Sequence, residues 1–378
     1  MRFSRRTAFD PTLNPLARAR AAREAAGLPL LDLTRSNPTT VDLPSPAAAI
    51  MAALADRRAL VYEPAPFGLP VARAATAAEL GVDADAVVLT ASTSEAYGWL
   101  FKLLCDPGDE ILVPQPSYPL LDHLAQLEAV QLWPYPLAYD GAWHLDRAAL
   151  SAAVTPRTRA IVVIHPNNPT GNFLSRGDLA HLERLGLPVI SDEVFADYAI
   201  EPSRVAVPTV RAAQVPVFGL GGLSKRAGLP QMKAGWIVLN QHARPAQAQL
   251  ELIADTFLSV GAPVQWALPA LLLASRETTA AIRARVRQNL DVLSHQLAQK
   301  AVTLRRPEGG WTAVLDVPRS RSEEDWVLAL LDEHGVLVQP GWFYDFADEA
   351  HLVVSLLTPP SEFAEGIARL IHCVERGS

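Results

Sequence analysis

The centre of the chain contains Gly219-Leu220-Gly221-Gly222-Leu223-Ser224-Lys225, flanked by two apolar runs. These runs, Val215 to Phe218 and Trp236 to Leu239, are rich in residues that favour β-strands. The glycines predict a turn in which the backbone approaches a ligand closely. A lysine held there and partly removed from water can lose its proton and attack a carbonyl carbon. A lone Ser-Lys pair is more often part of a solvated loop, so Lys225 requires support from elsewhere in the chain.

Two further β-branched runs end in polar residues. Residues 159–164 are followed by His165-Pro166-Asn167-Asn168-Pro169-Thr170-Gly171, and residues 187–190 are followed by Ser191-Asp192-Glu193-Val194. Open parallel α/β sheets bind ligands just beyond the carboxyl ends of their strands. These two stretches therefore favour a ligand site that includes Lys225 over a solvated loop lysine.

In this order and at these spacings, the three stretches resemble the class I and II aminotransferases, which are pyridoxal-phosphate (PLP) enzymes of the aspartate-aminotransferase fold. The resemblance covers nearly the whole chain. It implies an α/β fold with a mostly parallel seven-stranded sheet sandwiched by helices, and a smaller α+β domain. The alternating strand and helix signals from about residue 46 agree with a parallel sheet. We expect a PLP-binding large domain over residues 46–275 and a small domain formed by residues 1–45 and 276–378.

The resemblance also implies a role for each polar residue of the predicted site. Lys225 would hold PLP as a Schiff base, and Asp192 would keep the pyridine nitrogen protonated so that the ring accepts electrons. Asn168 would bind the ring oxygen, and Tyr118 would stack on the ring. In a homodimer, Tyr62 would reach the cofactor phosphate of the partner subunit. The remaining phosphate ligands would be Ser92, Thr93, Ser94, Ser224 and Lys233.

Ser92 has support that is independent of the resemblance. It follows the strand-like residues 86–90, and Ser92 with Glu95 forms a capping-box pattern. The pattern predicts a helix that begins directly at a strand end. The free N–H groups and partial positive charge of such a helix N-terminus suit a phosphate.

The sequence departs from the family pattern at four positions. Phe195 replaces a tyrosine that donates to the ring oxygen, Lys233 replaces an arginine, and Gly222 replaces a serine that binds phosphate. The fourth position is Val353, which aligns with the arginine that clamps the substrate's carboxylate. Our candidate replacement for that arginine is Arg35, and we expect Ser36 and Asn168 to contact the substrate as well.

Transamination is the activity that the resemblance implies. An amino acid would leave its amino group on the cofactor as pyridoxamine phosphate, and a 2-oxo acid would then receive it. A PLP-dependent lyase or decarboxylase of the same fold is the main alternative, because the motifs around the ring are common to these reactions. A PLP-binding regulatory domain is less favoured, because the chain starts almost directly at the enzyme-like turn, with no basic DNA-binding region before it.

Composition and charge exclude several other classes of protein. Hydrophobic residues make up 49% of the chain and charged residues 19%, which favours a large core over disorder. The net charge of −7, without a Lys/Arg block, argues against nucleic-acid binding. We expect no membrane partner, because no apolar run approaches the length of a membrane span. The two cysteines, Cys105 and Cys373, predict buried thiols and a cytoplasmic location. We expect no metal site.

Overall fold

The structure is a computed structural model that describes residues 1–200 and 213–377. Its helices, numbered in chain order, are α1 Pro15–Ala25, α2 Ala47–Leu54, α3 Pro70–Leu80, α4 Thr93–Leu104, α5 Leu120–Glu128, α6 Arg147–Ala153, α7 Arg176–Leu185, α8 Leu223–Arg226, α9 Gln247–Phe257, α10 Ala262–Ala274, α11 Arg276–Gln296, α12 Glu323–His334 and α13 Pro360–Gly377. Its strands are β1 Leu31–Asp32, β2 Val87–Thr90, β3 Glu110–Gln115, β4 Gln131–Tyr139, β5 Trp143–Leu145, β6 Thr158–Ile164, β7 Val189–Asp192, β8 Val217–Gly222, β9 Gly235–Leu239, β10 Thr303–Arg305, β11 Thr312–Asp316, β12 Val336–Leu337, β13 Gln339–Pro340 and β14 His351–Ser355.

The large sheet has the strand order β2-β9-β8-β7-β6-β3-β4-β5. Strands β8, β7, β6, β3 and β4 run parallel, whereas β9 is antiparallel to both of its neighbours and β5 is antiparallel to β4. The expected mostly parallel α/β sheet is therefore confirmed, with eight strands in the described residues instead of the seven expected. The strand that the sequence did not predict is β5, which folds back against β4 after a turn at Gly141, where φ is 102°.

Helices cover both faces of the large sheet. Helices α4, α5 and α9 bury apolar side chains against one face, and α6 and α7 bury theirs against the other. Strands that are covered by helices on both faces have nearly continuous apolar sequences, and β6 is an example. The carboxyl ends of β3, β6 and β7 remain open between these layers, at the edge where such sheets bind ligands.

A smaller four-stranded sheet, in the order β10-β11-β14-β13, is antiparallel throughout. Helix α13 packs its apolar face into the core behind this sheet, and the spacing of these residues had predicted that face. The buried residues of this face are Phe363, Ile367, Leu370, Ile371 and Val374. The two-residue strand β1 pairs with β12, so the start of the chain joins the core formed by its last third.

The glycines before Lys225 lie in β8 and not in a turn, which corrects our expectation. Gly221 pairs with Trp236 of β9, and a Cβ at Gly221 would lie 2.4 Å from the Trp236 indole nitrogen. A Cβ at Gly222 would lie 3.0 Å from the Ala234 carbonyl oxygen. These glycines are therefore required by the close packing of two strands, a constraint that their sequence neighbours do not reveal.

No single helix in residues 1–200 and 213–377 is both long and apolar enough to cross a membrane. One pair of helical segments, Arg244–Phe257 and Ala262–Ala274, passes the length and composition criteria jointly, and the two are bent by 116° at their junction.

A buried histidine at the start of β14 links the end of β11 to the loop before β14. The His351 side chain is 2% exposed, and its Nδ1 and Nε2 lie 2.8 Å and 3.0 Å from carboxylate oxygens of Asp316 and Asp348. Burial lowers the pKa of His351, but the two hydrogen bonds outweigh it and leave the pKa raised above 6.5. Arg305 and Arg319 also contact these carboxylates, at 2.9 Å and 2.6 Å. The charged form of His351 is therefore the form that this cluster stabilises.

We predict that His351 makes folding stability depend on pH. Its folded-state pKa lies above the unfolded value, so its stabilising effect is complete below about pH 6.5 and is lost as pH rises through the folded-state pKa. The loss should be on the order of 1.5 kcal/mol, the contribution of one hydrogen bond to a charged group. Urea unfolding of the natural protein and of His351→Gln between pH 6 and 9 measures it. The difference in stability between the two proteins should shrink as pH rises, and parallel profiles would contradict the prediction.

Candidate active site

A cavity of about 460 Å³ opens at the carboxyl ends of β6 and β7, between the large and the small sheet. It brings together most of the residues that the sequence singled out: Ser36, Ser92, Thr93, Ser94, Tyr118, Asn168, Asp192, Ser224, Lys225 and Lys233. Two predicted site residues, Arg35 and Tyr62, do not line it.

One end of the cavity is formed by the N-terminus of α4. The Ser92 hydroxyl accepts a hydrogen bond from the Glu95 N–H at 3.2 Å, and the Glu95 carboxylate accepts one from the Ala91 N–H at 2.7 Å. The predicted N-cap is thus present, although Glu95 caps Ala91 and not Ser92. Gly235 of β9 packs closely behind this turn, because a Cβ there would lie 3.2 Å from the Ser92 carbonyl carbon. Free N–H groups, three hydroxyl side chains and the nearby Lys233 make this end suitable for an anion.

The floor of the cavity holds a buried carboxylate. Asp192 ends β7, is 8% exposed, and accepts hydrogen bonds from the Tyr97 hydroxyl at 3.0 Å and the Val194 N–H at 3.1 Å. Burial raises the pKa of Asp192 to about 6, against the lowering effect of these two hydrogen bonds. At neutral pH, which is above this pKa, the carboxylate is therefore mostly ionised.

Lys225 lies in the short helix α8, directly after β8. The Tyr198 hydroxyl donates to the Lys225 carbonyl oxygen at 2.6 Å and fixes the backbone there. The Lys225 amine lies 5.2 Å from the ring centroid of Trp311 and 5.5 Å from that of Phe195. Burial lowers the pKa of Lys225, and the negative charge of Asp192 opposes this effect only in part. A buried amine with a lowered pKa is a stronger nucleophile at neutral pH than a surface lysine.

The two asparagines after β6 have different roles. The Asn167 amide donates to the Pro116 carbonyl oxygen at 3.0 Å and to the Thr170 hydroxyl at 2.8 Å, so it holds two strand ends together. Asn168 lines the cavity, and its Oδ1 is buried without a hydrogen-bond partner in the described part of the chain. Buried polar atoms in native proteins are rarely left unpaired, so Asn168 is a candidate contact for a ligand.

Arg35 is directed away from the cavity. Its guanidinium donates to the Glu362 carboxylate at 2.9 Å and to the Thr40 carbonyl oxygen. Both partners are outside the cavity, so the structure does not support Arg35 as the group that binds a substrate carboxylate. Val353, at the position where the family has an arginine, does line the cavity and is 1% exposed.

Tyr62 lies in a separate groove. Its side chain is 80% exposed, and the groove around it is bordered by Leu258, Ser259 and Trp266. Within one chain it therefore contacts no residue of the cavity that contains Lys225.

Several cavity residues were missed or left without a role by sequence reasoning. Sequence reasoning missed Tyr97. A signal was available, because Tyr97 lies four residues after Thr93 and a helix that starts at Ser92 places both residues on one face. The others come from distant parts of the chain and carry no local signal: Thr34, Thr312, Gln339 and Ser355. Four aromatic residues lie at sequence breaks that predict a position facing the pocket: Trp311, Trp342, Phe343 and Tyr344. Of these, Trp311 and Tyr344 line the cavity, and Trp311 lies beside Lys225.

Comparison with known proteins agrees with the fold. Residues 29–370 match the family model for aminotransferase class I and II. The chain is 31% identical over 229 residues to nicotianamine aminotransferase 1 of Oryza sativa subsp. japonica, a match that covers 57% of this chain and 46% of that protein. It is 26% identical over 373 residues to LL-diaminopimelate aminotransferase of Desulforudis audaxviator, covering 94% of this chain and 93% of that protein.

A solved structure shows the same fold over almost the full length. Alanine aminotransferase from Pyrococcus furiosus superposes with a TM-score of 0.88 at 24% sequence identity, covering 99% of this chain and 100% of that one. The match to the rice protein, in contrast, spans less than half of its length. Since the family model covers most of the chain, this protein belongs to the class I and II aminotransferase family.

Proposed function

We propose that this chain is a PLP-dependent aminotransferase, which transfers an amino group between an amino donor and a 2-oxo acid. Enzymes of this family and fold generally depend on PLP. The observation that carries the proposal is the convergence of Lys225, Asp192 and the N-terminus of α4 in one cavity. A nucleophilic amine, a buried carboxylate and an anion site are the three groups that a phosphorylated pyridine aldehyde requires.

The donors and acceptors in the cavity fit this cofactor. The hydroxyls of Ser92, Thr93, Ser94 and Ser224, the free N–H groups of α4 and the charge of Lys233 would hold the phosphate. Asp192 would pair with the pyridine nitrogen, and Asn168, which lines the cavity, would donate from its side-chain amide N–H to the ring oxygen. Tyr118, 45% exposed at the rim, is available to cover the ring face.

When bound, PLP supplies an aldehyde that condenses with amines and a pyridinium ring that withdraws electrons. The chain supplies the remaining chemistry. Lys225 would be the nucleophile toward the aldehyde carbon and the base that moves a proton at the reacting carbon. Asp192 would keep the ring nitrogen protonated, and the hydrogen bond from the Tyr97 hydroxyl favours the ionised form of Asp192 despite its burial. Trp311 and Phe195 exclude water around the Lys225 amine.

We also propose a homodimer in which Tyr62 reaches the cofactor phosphate of the partner subunit. The support is an exposed apolar segment around Tyr62: Met51 is 67% exposed, Leu60 83% and Val61 66%. Exposed apolar groups at this density mark interaction surfaces more often than solvated ones.

The domain division stays a proposal, with residues 46–275 as the large domain and residues 1–45 and 276–378 as the small one. Its support is that Leu33 and Val41 share a core with residues 282–374, although Phe195, Tyr198 and Ile200 join that core too. We propose a cytoplasmic location because neither Cys105 nor Cys373 forms a disulfide.

Lys225→Ala should abolish transamination and the absorbance of protein-bound PLP, because the other lysine of the described cavity, Lys233, is assigned to the phosphate and not to the aldehyde. Lys300→Ala, on the surface and paired with Glu375, is the matched control and should leave both unchanged. Absorbance spectra and an assay with a panel of 2-oxo acids measure the two properties. Full activity in Lys225→Ala would end the proposal.

Tyr97→Phe should shift the pH dependence of PLP binding. Asp192 has a pKa of about 6, so binding weakens as pH falls through that value and the carboxylate is protonated. Removing the Tyr97 hydrogen bond disfavours the charged form by about 1.5 kcal/mol, which raises the pKa by about 1 unit. Titrations of the apoprotein with PLP between pH 5 and 8, followed by tryptophan fluorescence, measure the shift. The PLP phosphate also titrates, but it does so in both proteins and therefore cannot cause a difference between them. The control is Tyr139→Phe, at a tyrosine that does not line the cavity, and this variant should behave like the natural protein.

Leu60→Asp should weaken the proposed dimer, because a carboxylate buried in an apolar interface has no charged partner. The control is Leu28→Asp, at a leucine that is 52% exposed but lies outside the 51–62 segment. Light scattering should give a lower mass for Leu60→Asp alone, together with weaker retention of PLP. A natural protein that is monomeric and fully active would contradict the dimer proposal.

A further inference from the structure

The substrates of the proposed reaction require hydrogen-bond donors in this cavity. An amino-acid donor and a 2-oxo acid acceptor each carry a carboxylate beside the carbon that reacts, so both carboxylates enter the same part of the cavity. A carboxylate that loses its water there must accept hydrogen bonds in exchange. Among the described residues that line the cavity, the cations are Lys225 and Lys233, which the proposed function assigns to the aldehyde and the phosphate. Donors for the substrate carboxylate must therefore come from other side chains.

One face of the smaller sheet forms a wall of the cavity. Antiparallel pairing places Gln339 opposite Val353 and Thr312 opposite Ser355. Side chains of directly paired residues point to the same face of a sheet, and so do alternate side chains of one strand. Val353 and Ser355 are alternate residues of β14, so all four side chains share one face, and all four residues line the cavity. The opposite face, which includes Leu352, packs into the core.

Gln339 is the side chain on this face that still has hydrogens to donate. The hydroxyls of Thr312 and Ser355 already donate to backbone carbonyl oxygens, at 3.0 Å and 2.7 Å, and a hydroxyl has a single hydrogen. Val353 has no polar side-chain atom. The Gln339 amide carries two hydrogens and makes no side-chain hydrogen bond to residues 1–200 or 213–377. It is therefore free to bind a ligand in front of Val353.

Tyr344 supplies a second neutral donor next to Val353. Its side chain is 5% exposed and packs with Val353 and Val314 in one buried cluster. Its hydroxyl makes no hydrogen bond in the described part of the chain, and Tyr344 also lines the cavity. Burial raises the pKa of Tyr344, so the phenol keeps its hydrogen at neutral pH. Gln339 and Tyr344 thus adjoin the same residue, and both can donate to an anion.

Other groups near this wall are less suited to hold a carboxylate. Arg35 is bound by Glu362 outside the cavity. The hydroxyls of Ser36 and Tyr118 belong to exposed residues and remain hydrated, so each exchanges a bond to water for a bond to the ligand with little net gain.

We propose that Gln339, assisted by the Tyr344 hydroxyl, binds the carboxylate of both the amino donor and the 2-oxo acid. This inference rests on the proposed aminotransferase function. The protein then recognises the carboxylate through neutral donors and without a cation. An amide group both donates and accepts hydrogen bonds, so Gln339 also binds an uncharged carboxamide, which a cation would discriminate against.

The first experiment follows both half-reactions through single-turnover absorbance changes of the bound cofactor. The donor is the standard amino acid that converts the PLP-loaded protein fastest, and the acceptor is the 2-oxo acid formed from it. Gln339→Met should raise the half-saturating concentration of both substrates about tenfold or more, because a hydrogen bond to a charged group is lost. The maximal rates should stay within about threefold, and the spectrum of bound PLP should not change. An unchanged half-saturating concentration for either substrate would overturn the proposal.

The matched control is Gln131→Met, at an exposed glutamine of β4 that does not line the cavity. This variant should behave like the natural protein in both half-reactions. If Gln339→Met fails to fold, the isosteric Gln339→Glu replaces it, and the half-saturating concentrations should rise further because two carboxylates then repel each other.

The second experiment measures binding without reaction. The ligands are the acid that lacks the donor's amino group and its primary carboxamide; for L-phenylalanine these are 3-phenylpropionate and 3-phenylpropanamide. Titrated into the PLP-loaded natural protein and followed by absorbance, the two should bind with affinities within about tenfold of each other. A larger preference for the carboxylate would show that a cation contacts it, including one from a partner subunit, and would overturn the proposal.

Charge substitutions at Gln339 should move this preference in opposite directions. Gln339→Glu should favour the carboxamide and Gln339→Arg the carboxylate, each by about tenfold or more relative to the natural protein. Folded variants with the natural preference would show that Gln339 does not contact the ligand, and transamination by the natural protein would then leave the proposed function intact. If no amino acid changed the spectrum of bound PLP, the proposed function would fail and this inference with it.

Discussion

The buried carboxylate of Asp192 is the constraint on which the rest of the site depends. A charge that is 8% exposed is stable only if hydrogen-bond donors compensate for the lost water, and two donors, the Tyr97 hydroxyl and the Val194 N–H, are supplied from different elements. Tyr97 belongs to α4, whose first turn also forms the anion end of the cavity. The same helix therefore connects the buried carboxylate to the end of the cavity that is suitable for an anion.

The position of Lys225 follows from backbone packing. Strand β8 carries glycines where β9 lies closest, and the Trp236 side chain occupies the space that a Cβ at Gly221 would need. This close pairing brings the end of β8 to the cavity, and the Tyr198 hydroxyl then holds the carbonyl group of Lys225. The lysine is thus placed by the close pairing of β8 with β9 and by the hydrogen bond to its own carbonyl oxygen, while its amine stays free to react.

The sequence predicted the parts of the site that follow from strand ends. Asn168, Asp192 and Lys225 each come directly after an apolar strand, and parallel strands collect their carboxyl ends at one edge. Prediction from the sequence failed for residues whose contacts are with residues far away in the chain. Arg35 reads as an unpaired cation, yet its partner Glu362 lies 327 residues further along the chain. The glycines before Lys225 predicted a turn because the sequence does not show that Trp236 pairs with Gly221 on the neighbouring strand. Tyr97 was within reach, since helical spacing alone relates it to Thr93.

The pairing of β1 with β12 has a consequence for how the chain is made. The N–H groups of Leu31 and Leu33 donate to the carbonyl oxygens of Gly335 and Leu337 at 2.8 Å and 2.9 Å. On the ribosome, these partners emerge only after some three hundred further residues, which takes on the order of 15 to 60 s at ordinary rates of synthesis. Throughout that time Leu33, which is fully buried in the finished protein, has no core to enter. The nascent chain therefore presents an apolar segment that a chaperone can recognise until residues 335–337 have been made and can pair with it.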